Sequence, residues 1–556
     1  MDVAGIAGSA VTERPVTEGP PIGGPSDEGL DRRAFIQRLA AVSALAAGVG
    51  AGVAAGPAPA SPRTRPVVDV YLDETPDPSL DPIDLTLAQA ALLLRRGSLT
   101  PVELVERYLA RIAEFDGTYQ AWNAVLGEAA LRRARRLERA SPRNALFGIP
   151  IAVKDNYYTN GVRTTANSFI YQDFVPTFDA TVVTRLQRAG GIVLGKTQMG
   201  PLATTRATTP DGIITTVNAW TPQDPAVYPG GSSTGSATAV AGRMATSSIG
   251  TQTGGSITYP ALAQGLTGLK PTMGRCSLFG VIPLTYTRDH PGPIARDVKD
   301  AAIMLQSMAG PDVNDARTLG LPGVPDLVVA ATPVRRGTKV VCRWPTRLGV
   351  FPDYLSGTSP LAERRRAMLD TMSGLGIRIV TVEPPEGWSV LSGYAFNSAR
   401  LPERSEAFLE YLRSDLKLFG VSLTTWMQGL FLGGDEYVRG QRSRLLLAEL
   451  AFERVFDRCD VVLQGTADAF DIIGFPLIAF PIGLARDDEA GADLPVGAMI
   501  GGQPYAEDRL CAVVAAYQAV TDAHRLRPPD PAAVRPRLSP AEPLRFTLDD
   551  VERLGA

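Results

Sequence analysis

The sequence predicts an α/β protein with a largely covered sheet, and two observations carry that expectation. From Ala180 to Lys196 a helical stretch (Val182 to Arg188) is followed by an apolar strand (Gly191 to Leu194), and the motifs after it repeat the alternation. The chain is also long and apolar enough for a large core: 556 residues, 45% hydrophobic and 20% charged, in one very large domain or two to three ordinary ones. A formal net charge of −3 gives no reason to expect nucleic acid or an anionic membrane as a partner.

Residues 1–30 are rich in Gly, Pro, Ser and Thr and read as a disordered extension. Residues 31–60 read as a Tat-type signal peptide: Asp31-Arg32-Arg33-Ala34-Phe35 precedes an Ala/Gly/Val/Leu run from Leu39 to Gly56, with Ala58-Pro59-Ala60 as a cleavage site. The run's Ala/Gly content makes it too weakly hydrophobic for a good membrane anchor, and no cysteine before Cys276 could carry a lipid. The expectation is a secreted or cell-envelope protein with no stable membrane insertion after cleavage, or a cytoplasmic one if the signal is unused.

Residues 61–83 form a Pro/Asp-rich linker. Beyond it Thr86-Leu87-Ala88-Gln89 and Thr100-Pro101-Val102-Glu103 are helix starts, each an N-cap with Gln or Glu three residues on, and they predict helices over 87–96 and 101–115. The apolar run Ile149 to Val153 reads as a strand ending at Lys154.

The stretch Pro229 to Ser256 carries the chemistry. It holds Gly230-Gly231-Ser232-Ser233-Thr234-Gly235-Ser236 and Gly254-Gly255-Ser256, separated by a small-residue run, Ala237 to Ala245, that can pack as a helix. Taken alone, a Gly/Ser-rich segment reads as a linker or turn. No Gly-Lys-Ser/Thr follows either cluster, so a phosphate loop of the Walker type is excluded. Gly231 to Gly235 fits G-x-S-x-G, an α/β-hydrolase elbow with Ser233 as nucleophile, and that reading needs a histidine. The chain has two, His290 in Asp289-His290-Pro291-Gly292-Pro293 and His524 in a polar stretch near the end.

The segments Gly230 to Ser236, Gly250 to Ile257 (GTQTGGSI) and Gly265 to Arg275 (GLTGLKPTMGR), with Gly148 to Asn156 (GIPIAVKDN) upstream, resemble the amidase signature family in content and order. The similarity runs from about Leu85 to about Val520. It implies an amidase signature domain over residues 84–525, built on a large twisted mixed β-sheet covered on both faces by helices. It implies a Ser/cis-Ser/Lys triad: Ser256 as nucleophile, Ser232 as the cis-peptide serine and Lys154 as base. The oxyanion hole would use the backbone N–H groups of Thr253, Gly254, Gly255 and Ser256, with Ser233 in an auxiliary hydrogen-bonding role. No cofactor is implied, the expected partner is a small-molecule or peptide amide substrate, and the protein is expected to be a monomer or homodimer.

That chemistry is sound on its own terms. A lysine near its usual pKa of about 10.4 is a poor base at neutral pH, but burial disfavours the ammonium and lowers it. Ser232 can then relay the Ser256 proton to Lys154 during attack and return one to the departing amine.

Two departures from the family pattern stand out. Its Asp/Arg pair around the nucleophile is replaced by Gln252 and Thr258, a double change expected to strand no buried charge. The chain between Leu463 and Phe475 is shorter than usual. The pattern is weakest over about 333–455, where the family's substrate pocket lies; strands at 340–341 and 377–382 and helices over 361–375, 403–418 and 435–456 are expected there. Tyr354, Trp388, Tyr394, Phe396, Trp426 and Phe431 line a binding site or, by the more ordinary reading, pack the core. Residues 526–556 form a Pro/Arg-rich tail. Cys276, Cys342, Cys459 and Cys511 are too widely spaced for a metal site, and none is expected. The expected activity is hydrolysis of a carboxylic amide through an acyl-Ser256 intermediate. The alternatives are an esterase using Ser233 and His290, a catalytically silent binding protein on the same scaffold, and an ammonia-supplying amidotransferase subunit.

Overall fold

The computed structural model describes residues 76–77, 79–142 and 144–532, the side chains of 394–398 aside. The extension at 1–30, the signal segment at 31–60, linker residues 61–75 and 78, and the tail beyond 532 lie outside the described residues.

Thirteen strands are described. They are β1 (Trp122–Val125), β2 (Pro150–Lys154), β3 (Ile192–Thr197), β4 (Ser247–Gln252), β5 (Thr267–Lys270), β6 (His290–Ala295), β7 (Val334–Arg336), β8 (Lys339–Val341), β9 (Thr346–Val350), β10 (Ile377–Thr381), β11 (Val461–Gln464), β12 (Leu477–Asp487) and β13 (Ala492–Gly502). Eleven form one mixed sheet in the order β1-β3-β2-β4-β6-β5-β12-β13-β11-β9-β10, and β7 pairs with β8 in a separate ribbon. The strands β2, β3 and β4 run parallel, whereas β4–β6, β5–β6 and β12–β13 are antiparallel. Every residue of β2 and β4 is buried, which is why β2 reads as an unbroken apolar run rather than an alternating one. Helices flank the sheet: Thr234–Ala241 packs on β4 and β2, Val298–Met308 on β6, and Glu507–Gln518 on β12 and β13.

Helix ends follow local chemistry where it is strong. Thr86 caps Leu87–Arg96 in a reciprocal capping box with Gln89. Thr100 caps Pro101–Tyr119, which outruns the expected end at 115 because Tyr108, Ile112 and Tyr119 stay buried along it. Tertiary packing overrides the pattern elsewhere. The small-residue helix spans Thr234–Ala241 rather than 237–245, since Arg243 takes φ 60° and turns the chain into β4. The helix expected over 403–418 is broken into Arg400–Glu406, Leu409–Ser414 and a 3-10 stretch Leu416–Ser422. The breaks let Phe408 bury its ring edge-on against Trp426, at 5.7 Å between centroids, in a satellite core. Trp426 and Tyr354 are core residues, as their ordinary reading has it, while Phe431 is exposed.

Gly235 is required by close approach rather than by its torsions. A Cβ there would lie 2.4 Å from the Ala121 carbonyl oxygen and 2.6 Å from that of Gln198. Gly235→Ala is therefore expected to cost about 3 kcal/mol, because backbone must move. Chemical denaturation would show it; an unchanged midpoint would contradict the packing described.

Among the described residues no helix is long and apolar enough to cross a membrane. All four cysteines are buried and free, and burial pushes the Cys276 thiol up to about 12, far from a reactive thiolate.

Candidate active site

Parallel pairing sets the C-terminal ends of β2 and β4 side by side, and the candidate site lies there. Lys154, the last residue of β2, is fully buried. Its Nζ lies 2.8 Å from Ser232 Oγ, 2.9 Å from Thr251 Oγ1 and 3.3 Å from the Thr251 carbonyl oxygen. Burial drives the Lys154 pKa well below the ordinary lysine value, and the attraction of Asp289 offsets only part of that. A neutral amine has two hydrogens and one lone pair. With the hydrogens on the two Thr251 oxygens, the lone pair is left for the Ser232 hydroxyl.

The Gly231–Ser232 peptide bond is cis. The loop passes so close to Pro260 that a Cβ on Gly230, which has φ 80°, would sit 2.2 Å from the Pro260 Cα, so only glycine fits. Ser232 is fully buried, and its carbonyl accepts from Gly200 N–H at 3.1 Å.

Ser256 sits in the turn between β4 and the short helix Thr258–Ala263 and is 5% exposed. Among the described residues its hydroxyl has no hydrogen-bond partner, and the N–H groups of Thr253, Gly254 and Ser256 have no acceptor. The Gly255 N–H differs. It donates to Asp471 Oδ2 at 2.7 Å, so three of the four N–H groups expected as oxyanion donors remain without an acceptor. Thr253 Oγ1 donates to Asp289, whose other oxygen accepts from Leu284 and Thr285 N–H at 2.8 and 3.0 Å.

Ser233 stitches the two serine segments together. Its N–H donates to the Ser256 carbonyl and its hydroxyl to the Thr251 carbonyl, both at 3.3 Å, and the residue is fully buried. It makes no contact with His290, which lies on β6 in register with Gln252. His290 Nδ1 faces the carbonyls of Arg288 (2.6 Å) and Gln252 (3.3 Å), so it carries the hydrogen. Burial, then the nearby Lys270, pushes its pKa well below the usual imidazole value. A Ser233/His290 pair is thus absent: the serine is closed off, and the imidazole holds backbone carbonyls with Nδ1 while its buried Nε2 meets no hydrogen-bond partner among the described residues. His290→Gln, which keeps a donor, is expected to leave reaction with a serine-directed fluorophosphonate unchanged; loss of labelling in a folded variant would restore the histidine to the mechanism.

Gln252 and Thr258 do not leave the region free of charge. Gln252 Nε2 donates to the buried Asp471 carboxylate at 2.8 Å, and Lys270 Nζ stands 3.5 Å from the same group. Thr251, Asp289, Asp471 and Lys270 are site residues that sequence reasoning missed. Thr251, flanking the Gly254-Gly255-Ser256 cluster on an inward-facing strand, had a local signal; Asp471 had none.

A family model described as Amidase matches residues 103–414. A glutamyl-tRNA(Gln) amidotransferase subunit from Myxococcus xanthus (strain DK1622) is 34% identical over 504 residues, covering 80% of this chain and 99% of the relative. The protein of the same description from Roseiflexus sp. (strain RS-1) is 32% identical over 497 residues, covering 80% and 98%. Among solved structures, native peptide amidase from Stenotrophomonas maltophilia is 27% identical with a TM-score of 0.62, covering 80% of this chain and 99% of that one.

Proposed function

This chain belongs to the amidase signature family, and from that premise we propose that it is an exported hydrolase of carboxylic amides working through an acyl-Ser256 intermediate. Ser256 Oγ attacks the substrate carbonyl carbon while its proton passes through Ser232 to Lys154. The developing oxyanion takes hydrogen bonds from the N–H groups of Thr253, Gly254 and Ser256. The relay then reverses, Ser232 protonates the departing nitrogen, and water releases the acyl group by the same path. The observation that carries the reading is the fully buried Lys154 amine, 2.8 Å from Ser232 Oγ, with its pKa driven well below the ordinary lysine value by burial.

The partner is an amide of small-molecule or peptide type, and the enzyme works alone as a monomer or homodimer. Export rests on the twin arginines and apolar run of residues 31–60; fractionation of cells making the full chain tests it. A second reading, an amidotransferase component dependent on partner chains, is favoured by the 34% identity to such a protein. The deciding experiment is amine or ammonia release from peptide C-terminal amides, aryl amides and glutamine by the isolated chain. Turnover of any of the first two classes supports the stand-alone enzyme. Turnover of glutamine alone, and only with added partner chains, supports the second reading.

A further inference from the structure

The loop that carries Ser256 is gripped on both sides through side chains from three elements, β4, β5 and the helix Asp468–Ile473. Gln252, at the end of β4, accepts from the N–H groups of Ile257 and Thr258 with its amide oxygen, each at 2.9 Å. Its amide nitrogen donates to Asp471 Oδ1 at 2.8 Å. Asp471, on the short helix Asp468–Ile473, takes the Gly255 N–H on Oδ2 at 2.7 Å. Lys270, at the end of β5, stands 3.5 Å from Asp471 and donates to the carbonyls of Phe470 (3.2 Å) and Phe475 (2.5 Å), which brace the helix that presents the carboxylate. All three side chains are fully buried. Residues 255, 257 and 258 are therefore tied to one hydrogen-bonded unit, and Ser256 is the residue between the ties.

A buried carboxylate is costly unless it is paired and hydrogen-bonded, and Asp471 has both kinds of partner. A charge-assisted N–H···O⁻ bond is also about twice as strong as a neutral one, so the Gly255 contact is a firm anchor. The family's Asp/Arg pair at 252 and 258 is absent from this chain. A carboxylate arrives instead from 216 residues further along, with Lys270 as its counter-charge.

We propose that Asp471, coupled to Gln252 and Lys270, is a positioning residue that fixes the Ser256 loop for attack and does the work of the missing Asp/Arg pair. The inference rests on the reading of Ser256 as nucleophile. It acts through geometry: displacement of a reacting atom by about 1 Å costs on the order of 100-fold in rate.

The test is inactivation of the full-length chain by a fluorophosphonate, followed by intact mass to separate kinact from KI. Asp471→Asn is expected to lower kinact on the order of 100-fold with KI unchanged. Adding Gln252→Asp and Thr258→Arg, which restores the family pair in that background, is expected to recover at least about tenfold. An unchanged kinact in folded Asp471→Asn overturns the proposal, as does a fall that the restored pair does not recover. If Asp471→Asn does not fold, Gln252→Glu, which sets a second carboxylate against Asp471, is expected to lower kinact alone; an unchanged kinact there overturns it equally. Ser256→Ala keeps the two ideas apart, since labelling that survives it sinks the nucleophile assignment whatever Asp471 does.

Discussion

Ser256→Ala leaves a folded protein that no longer turns over amides. Removal of the nucleophile from a serine hydrolase costs on the order of 10⁶-fold in kcat, with a residue of activity from the oxyanion donors and substrate binding. The same loss is expected here because the Ser256 hydroxyl, unlike that of Thr253, which donates to Asp289, has no hydrogen-bond partner among the described residues and stands beside the N–H groups of Thr253, Gly254 and Ser256. Stability should barely change. The Ser256 hydroxyl has no hydrogen-bond partner among the described residues, so no donor or acceptor is left orphaned by its removal, and a shift within about 0.5 kcal/mol is expected. Amine release and a thermal melt on the same preparation check both halves. Wild-type turnover by the variant would place the nucleophile elsewhere.

Lys154→Met is expected to lower kcat by about 10⁴-fold, the upper end of what a positioned acid–base group supplies. Methionine keeps the length of the buried stem, so the effect reports the lost amine rather than a cavity. The pH dependence gives a second signature. Lys154 must be unprotonated to accept the Ser232 proton, so wild-type kcat rises with pH as the amine titrates through its lowered pKa, and this limb disappears in the variant. Stability moves in the same direction. Between the lowered folded pKa and the ordinary value of about 10.4, the unfolded chain binds a proton at Lys154 that the folded chain does not. Folding is thus favoured as pH rises through that window, and the wild type loses stability relative to Lys154→Met as pH falls. A pH-independent difference in denaturation midpoint between the two proteins would argue against a depressed lysine.

The chemistry of the site was legible in the sequence where it is local. Lys154 ends an apolar run, and Ser232 and Ser256 stand next to paired glycines, of which Gly230, Gly231 and Gly255 are packed too closely for a Cβ, so short motifs mark them. What escaped detection is what the fold brings together from far apart. Asp471 lies in a segment with no motif, and its capture of the Gly255 N–H reduces the expected oxyanion donors by one. The neutral residues at 252 and 258 were expected to strand no buried charge, and nothing near them announced the carboxylate and lysine that come from elsewhere in the chain. Helix boundaries show the same division. Thr86 and Thr100 mark their helices by capping chemistry, whereas the segment around Phe408 breaks where a continuous helix was expected, because burying that ring against Trp426 outweighs local propensity.

The central claim is that the acyl group is carried by Ser256. The most direct measurement is peptide mapping, by mass spectrometry, of the wild-type protein after reaction with a fluorophosphonate. The account predicts a single adduct on the peptide containing Ser256, localised to that residue by fragmentation. An adduct on Ser233, or on any residue other than Ser256, would contradict it.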